Sequence, residues 1–350
     1  MNNYYPLVSI IILNLNRKKD LVKCLNSIQT QIYKNYEIIL IDNASNDGSV
    51  EEVLKLSQDI RIFKTKKNLG TSYTRNAGVS FSKGEVIWFL DNDVNLENTH
   101  TLGNLIEVFS KDSSIHALGG EAKLDHLGKS IGTKKLKLFP NGLTKGYFYE
   151  KKSNINIPVE ILPSCNLMIR KNCFNQVGGF DDFYFFYLED IDLTYRLFKN
   201  NFKLFVYHRC PVVHNFSDLS RFKNHFISKR NRIYFILKNL KLKNIIFLPF
   251  YDFLYLVNFD NIKRIYGKLF QNQKVYKSLI TKNEKKKITL NNIINTFKIT
   301  FITVLSILTS YAFIPLYLLK YSFQKRNKIN FLDKVNKSDF VKVEKNNKLT

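Results

Sequence analysis

The sequence predicts an α/β protein with a mostly parallel sheet, helices on both faces, and a basic, apolar helical tail. Three observations predict this. Short β-branched runs alternate with helix-period segments as far as Leu90, those at Ile41 and Leu90 run straight into acids, and positive charge gathers after Asn239. Alternation of this kind builds a parallel sheet through right-handed crossovers.

Leu7–Leu13 (LVSIIIL) reads as a strand buried on both faces, and Leu21, Leu25 and Ile28 then recur at helical spacing. Tyr36–Ile41 (YEIILI) is a second buried strand, closed by the turn-rich Asp42–Ser49 (DNASNDGS). Val50–Leu56 is a helix, Ile60–Phe63 a third strand and Ser72–Ser82 another helix. Glu85–Leu90 (EVIWFL) is a fourth strand running directly into Asp91-Asn92-Asp93. From Glu121 to Pro158 the periodicity fades into hairpins and loops. Ile161–Ile169, a helix over Glu189–Lys199, a strand at Leu204–Tyr207 and a helix over Phe222–Leu237 complete the compact part.

The chain has 350 residues and a net charge of +25, enough for one large α/β domain and an appendage. Residues 241–350 hold 21 Lys and Arg against 6 acids, a surplus of 15. That tail expects an anionic neighbour, a lipid surface before nucleic acid. Within it Ile245–Phe259 is short and contains Asp252. Ile299–Leu319 runs 21 residues without a charge, though Pro315 interrupts it. Nine basic residues follow Leu319, so a single span would set them opposite a cytoplasmic enzyme; a hairpin or interfacial helix avoids this. Cys24, Cys165, Cys173 and Cys210 lack C-x-x-C spacing, and the start lacks a signal-peptide pattern. The expected location is the cytoplasmic face of a membrane.

Asp91 and Asp93 sit two apart at the end of a buried strand, where open parallel sheets gather ligands. They read either as hard oxygen ligands for Mg²⁺ or Mn²⁺ beside substrate phosphates, or as a solvated turn. Asp42 ends the second strand on the same rim, either accepting a uracil or thymine imide or starting a turn. Glu189-Asp190 opens a helix behind the aromatic stretch Phe183–Leu188 (FYFFYL). It reads as a dipole-favoured cap or, desolvated by its neighbours, as a general base. His214 is a structural histidine unless it meets the Asp pair in space. No G-x-G-x-x-G, G-x-x-x-x-G-K-[ST] or G-x-S-x-G pattern is present, which removes the dinucleotide, P-loop and nucleophile-elbow readings.

Five blocks in order resemble the family 2 glycosyltransferases. They are VSIIILNLNRKKDLVKCLNSI, YEIILIDNASNDGS, NLGTSYTRNAGVSFSKGEVIWFLDNDV, VGGFDDFYFFYLEDIDLTYRL, and VVHNF with the later Lys229-Arg230-Asn231-Arg232. The resemblance implies a GT-A fold over residues 1–239, with a nucleotide half to about 120 and an acceptor half beyond, ahead of a membrane-associated tail over 240–350. It implies inverting, Mn²⁺- or Mg²⁺-dependent transfer from a UDP- or dTDP-sugar to a glycan or lipid-linked acceptor, in cell-surface polysaccharide synthesis. By position, Asp190 resembles the catalytic base with Glu189 beside it. Asn14, Asn16, Asp42, Arg75, Asn76 and Asp91 resemble the nucleotide-sugar pocket, and Asp91, Asp93 and His214 the metal site. Leu13-Asn14-Leu15-Asn16 departs from the pattern, since many members have Thr and an aromatic before the Asn. The competing expectations are an inactive membrane scaffold, a nucleic-acid-binding protein, or a sugar-phosphate nucleotidyltransferase, though Leu13–Lys19 has no glycine for the last.

Overall fold

A computed structural model describes residues 5–56, 59–124, 130–150, 157–207, 212–214, 225–241, 248 and 330–344. Residues 8–91 follow the expected order: β1 (Val8–Asn14), α1 (Lys18–Gln29), β2 (Tyr36–Asp42), α2 (Ser49–Leu56), β3 (Ile60–Thr65), α3 (Thr71–Phe81) and β4 (Val86–Asp91). Next come β5 (Val94–Asn95), α4 (Thr101–Lys111) and β6 (Ile115–Gly119), then β7 (Glu121–Leu124), β8 (Ser130–Leu138) and β9 (Thr144–Glu150). The chain continues through β10 (Ile157–Val159), β11 (Asn166–Arg170), α5 (Lys171–Gln176), a 3-10 turn at Asp182–Tyr184, α6 (Glu189–Lys199), β12 (Lys203–Val206) and β13 (Val213–His214). Helix α7 (His225–Asn239) and β14 (Phe340–Val343) are the last elements described.

Nine strands form one sheet in the order β10-β12-β6-β11-β4-β1-β2-β3-β14. β1 pairs in parallel with β2 and β4, and β2 with β3, as buried apolar strands joined by helical crossovers should. The sheet is mixed, because β11 runs antiparallel between β4 and β6 and both edge strands are also reversed. A separate three-stranded sheet, β7-β8-β9, supplies the hairpins expected after residue 120.

Strand pleating sorts the core into two faces. Ile10, Ile12, Trp88 and Leu90 pack with Leu21, Cys24, Leu25 and Ile28 of α1. Ile11, Ile39 and Phe89 face the other way, onto Ala77 and Val79 of α3 and Leu193 and Leu197 of α6. The α3 contact is close: a Cβ on Gly78 would lie 2.6 Å from Ile11 Cγ2. Cys24, Cys165 and Cys173 are buried free thiols.

Residues 330–344, within the expected helical tail, form no α-helix. Residues 330–344 form two 3-10 turns and β14, which pairs antiparallel with β3 from Phe340↔Thr65 to Val343↔Ile62. Phe340 and Val343 turn inward, both 8% exposed, so the segment covers the open backbone edge of β3 with an apolar face of its own. Among the described residues no helix is long and apolar enough to cross a membrane, and 245–259 (save Leu248) and 299–319 lie outside them. A second compact unit takes in residues 139–143 and 223–326; within it Arg232 Nη1 donates to the Asn141 carbonyl at 3.3 Å.

Candidate active site

The carboxyl ends of β1, β2 and β4 lie side by side, bringing Asn14, Asp42 and Asp91 to one rim. Asn14 ties the rim together. Its Nδ2 donates to Asp42 Oδ1 and Ser45 Oγ, both at 3.1 Å, and its Oδ1 accepts from Asn92 Nδ2 at 2.8 Å. Asp42 is fully buried, and its second oxygen accepts the Ser45 N–H at 3.0 Å. Asn16, exposed and left-handed at φ 53°, accepts the Asn46 N–H at 2.8 Å. These residues hold the first two loops against each other, and only Asn16 of the three presents itself to solvent.

The short ladder of β5 with β13 sets His214 opposite Val94, immediately beyond Asp93. His214 Nε2 thereby lies 3.0 Å from Asp93 Oδ1 and 3.5 Å from Asp91 Oδ2. One ligand atom from each of the three residues falls within 4.8 Å of the others, a spacing that fits a divalent cation. Two carboxylates and an imidazole suit Mn²⁺ or Mg²⁺, with room in the coordination sphere for phosphate oxygens. Arg17 Nη1 stands 3.5 Å from Asp93 and 3.1 Å from Asp20.

Arg75 joins this cluster to the acids of α6. Its Nη2 donates to Asp91 Oδ1 and its Nη1 to Glu189 Oε1, each at 2.8 Å. Burial works against its charge, but Asp91 and Glu189 outweigh that and hold the guanidinium pKa above its ordinary value. Glu189 is 5% exposed; Oε1 also accepts from Thr71 Oγ1, while Oε2 has no hydrogen-bond partner. Burial, then the neighbouring Asp190, push its pKa up to about 7 against the pull of Arg75. Asp190 is half-buried and its oxygens accept the N–H groups of Ser164 and Ile191. Burial raises its pKa too, opposed by the Ser164 N–H and Arg75.

The loop before these acids is strained. Phe185, Tyr187 and Leu188 all have positive φ, a conformation unusual for bulky residues. The Phe185 carbonyl accepts from the N–H and Oγ1 of Thr71, and a Cβ on Gly70 would lie 2.6 Å from the Phe185 ring. Gly70, at φ 83°, is therefore required twice, by its dihedral and by the close approach.

Asn76 follows Arg75 in α3. It is fully buried, its Nδ2 donates to the Phe180 carbonyl and its Oδ1 accepts the Phe180 N–H, at 2.8 and 2.9 Å. Both polar atoms bond that backbone, so Asn76 anchors the acid-bearing segment to α3. Sequence reasoning also passed over Thr71 and Ser164, whose contacts to Glu189 and Asp190 cross more than 20 residues and leave no local pattern.

The sequence profile of Glycosyl transferase family 2 matches residues 9–178. That match takes in just under half of the chain, and over it the sequence is similar to glycosyl transferase family 2. A second profile, described as the N-terminal domain of galactosyltransferase, matches residues 145–225. Glycosyltransferase AglE of Haloferax volcanii is 26% identical over 190 residues, covering 51% of this chain and 58% of AglE. The chain thus spans less than two thirds of that relative. Among solved structures, GalNAc-T7 with UDP, GalNAc and Mn²⁺ superposes with a TM-score of 0.55 at 17% identity, over 68% of this chain and 48% of that one. The mannosyltransferase PcManGT from Pyrobaculum calidifontis, in complex with GDP-Man and Mn²⁺, gives 0.51 at 13% identity, over 95% and 89%. At such identities these two structures establish the GT-A-like mixed α/β fold.

Proposed function

We propose that the protein moves a sugar from a nucleoside diphosphate to an acceptor hydroxyl by one in-line displacement that inverts the anomeric carbon. The observation that carries this reading is the bridge made by Arg75, which links a two-Asp, one-His cluster to a desolvated Glu-Asp pair. Asp91, Asp93 and His214 would hold Mn²⁺ or Mg²⁺, which supplies charge neutralisation for the departing diphosphate. Asp190, half-buried with both oxygens oriented by backbone N–H groups, is placed to take the acceptor hydroxyl proton as the new bond forms. Burial raises its proton affinity towards what a general base needs. Glu189, buried behind Asp190, is held by Arg75, which keeps the two acids in register with Asp91. A single carboxylate base suffices, since no covalent sugar intermediate forms.

The donor in this reading is a UDP- or dTDP-sugar, with Asn16 at the pocket edge and Asn14 and Asp42 shaping it from behind. The acceptor is a glycan or lipid-linked sugar of a cell-surface pathway, met at the cytoplasmic face of a membrane. The uncharged run Ile299–Leu319 and the surplus of 15 positive charges after residue 240 support that location. Equal partition of the full chain and of a variant lacking Ile299–Leu319 between membrane and soluble fractions would remove it.

The deciding experiment is calorimetric binding and turnover with UDP-, dTDP- and GDP-sugars, with and without Mn²⁺. Asp93→Ala is expected to abolish metal-dependent donor binding. Asp190→Asn should keep binding and lose turnover by about 10²-fold or more. If no nucleotide sugar binds under any metal condition, the transferase reading fails.

A further inference from the structure

The segment 330–344 does more than cover a sheet edge. Before reaching β3 it crosses the residues that lead into the strained loop ahead of Glu189 and Asp190. The Phe331 N–H donates to the Gly178 carbonyl at 3.0 Å, and the Leu332 side chain sits against Gly179, where a Cβ would meet it at 3.1 Å. The Phe331 ring, 6% exposed, lies beneath the Arg196 guanidinium at 5.7 Å. That same guanidinium grips the carbonyls of Val177 and Gly179. Lys334 Nζ pairs with Asp182 at 3.0 Å, across 152 residues. Further along, Tyr73 OH of α3 accepts the Asn336 N–H at 2.9 Å and donates to Asp339 Oδ2 at 2.5 Å.

Three of these contacts land on Gly178, Gly179 and Asp182, and residues 183–188 just beyond carry three left-handed non-glycine residues. Such residues persist only where their surroundings over-determine them. From within the site, Asn76 holds Phe180 and Thr71 holds Phe185. Asp181 and Asp192 hold Phe183 and Tyr184, and from outside the segment 330–344 adds its own restraint at Gly178, Gly179 and Asp182. We infer that Asn330–Val343 is a positioning element for the active site: it clamps Gly178–Asp182 and so fixes the loop that presents Glu189 and Asp190. The inference rests on the transferase reading for its catalytic consequence, but the clamp is measurable without it.

The test uses the full chain with Phe331→Ala, with Lys334→Glu, and with the exchange pair Lys334→Glu plus Asp182→Lys. Three quantities are read: amide hydrogen exchange, UDP binding with Mn²⁺, and sugar transfer. In Phe331→Ala, exchange over 181–190 should rise about tenfold while β1 and β2 stay unchanged. Transfer should fall by a similar factor, with UDP affinity within about twofold. Lys334→Glu should show the same pattern at about threefold, as suits a half-exposed ion pair, and the exchange pair should restore it. Exchange over 181–190 that does not move in either single variant overturns the inference. So does exchange that rises equally in β1 and β2, since the segment would then be stabilising the whole domain. If the unaltered chain binds no nucleotide, the transferase reading fails while the exchange data still decide the clamp.

Discussion

Replacing Arg75 with Met keeps most of the side-chain volume and removes the charge between Asp91 and Glu189. The two carboxylates fare differently. Asp91 is 29% exposed at its side chain and can turn to water, whereas Glu189 is 7% exposed and cannot. Breaking a buried pair by removing one partner costs about 3–5 kcal/mol, because the remaining charge stays desolvated. The cost has a pH dependence whose sign is fixed by Glu189. An acid whose folded pKa is raised binds protons more tightly when folded, so its contribution is full below its unfolded pKa near 4.5 and is lost as pH rises through the folded value near 7. Without Arg75 the folded value rises further, and the loss deepens at neutral pH. At pH 5 the variant's Glu189 is protonated, leaving only the broken hydrogen bonds, about 1–2 kcal/mol. At pH 8 the full 3–5 kcal/mol applies. Urea unfolding of both proteins without metal, at pH 5 and 8, measures the difference. A destabilisation equal at the two pH values within about 0.5 kcal/mol would refute the argument, because Glu189 would then not be the stranded charge.

Three further expectations come from other parts of the site. Asn76→Ala strands the N–H and C=O of Phe180 in the core and should cost about 2–4 kcal/mol in urea unfolding, with donor binding retained. Gly70→Ala drives a Cβ into the Phe185 ring at φ 83° and should lower stability by at least about 1 kcal/mol, with a larger proportional loss of transfer than of UDP binding. His214→Ala removes the only imidazole near the Asp pair among the described residues; Mn²⁺ affinity, read by electron paramagnetic resonance, should drop about tenfold or more.

Much of the fold up to Asp91 was legible because its signals are local. β1, β2 and β4 are largely apolar runs, and the residues that end them, Asn14, Asp42 and Asp91, stand on the rim that a parallel sheet offers to ligands. Helix α4 was also readable: Leu102, Leu105, Ile106 and Phe109 keep helical spacing, but no motif drew attention to them. The rest depended on distant partners. Asn76 sits among pocket-like residues, and only Phe180, 104 positions away, makes it a core anchor. Nothing in Phe185, Tyr187 or Leu188 announces a left-handed backbone, since that comes from Gly70 and Thr71 closing on the loop. β14 is four residues, FVKV, inside a Lys-rich stretch, too short and too charged in its setting to be separated from a solvated tail. Its place is decided by β3, which needs an edge partner.

The pairing of β14 with β3 also sets an order of events during synthesis. Thr65 leaves the ribosome 278 residues before Val343. At about 5–20 residues per second that interval is roughly 15–55 s. Through it β1 to β4 can assemble, while the outer backbone of β3 shows its amides and carbonyls to any extended chain nearby. A nascent chain arrested before Phe340 would therefore carry a sticky strand edge beside an otherwise assembled β1 to β4. Chains on neighbouring ribosomes would be its nearest false partners. Among the described residues, the last strand made is the one that ends that exposure.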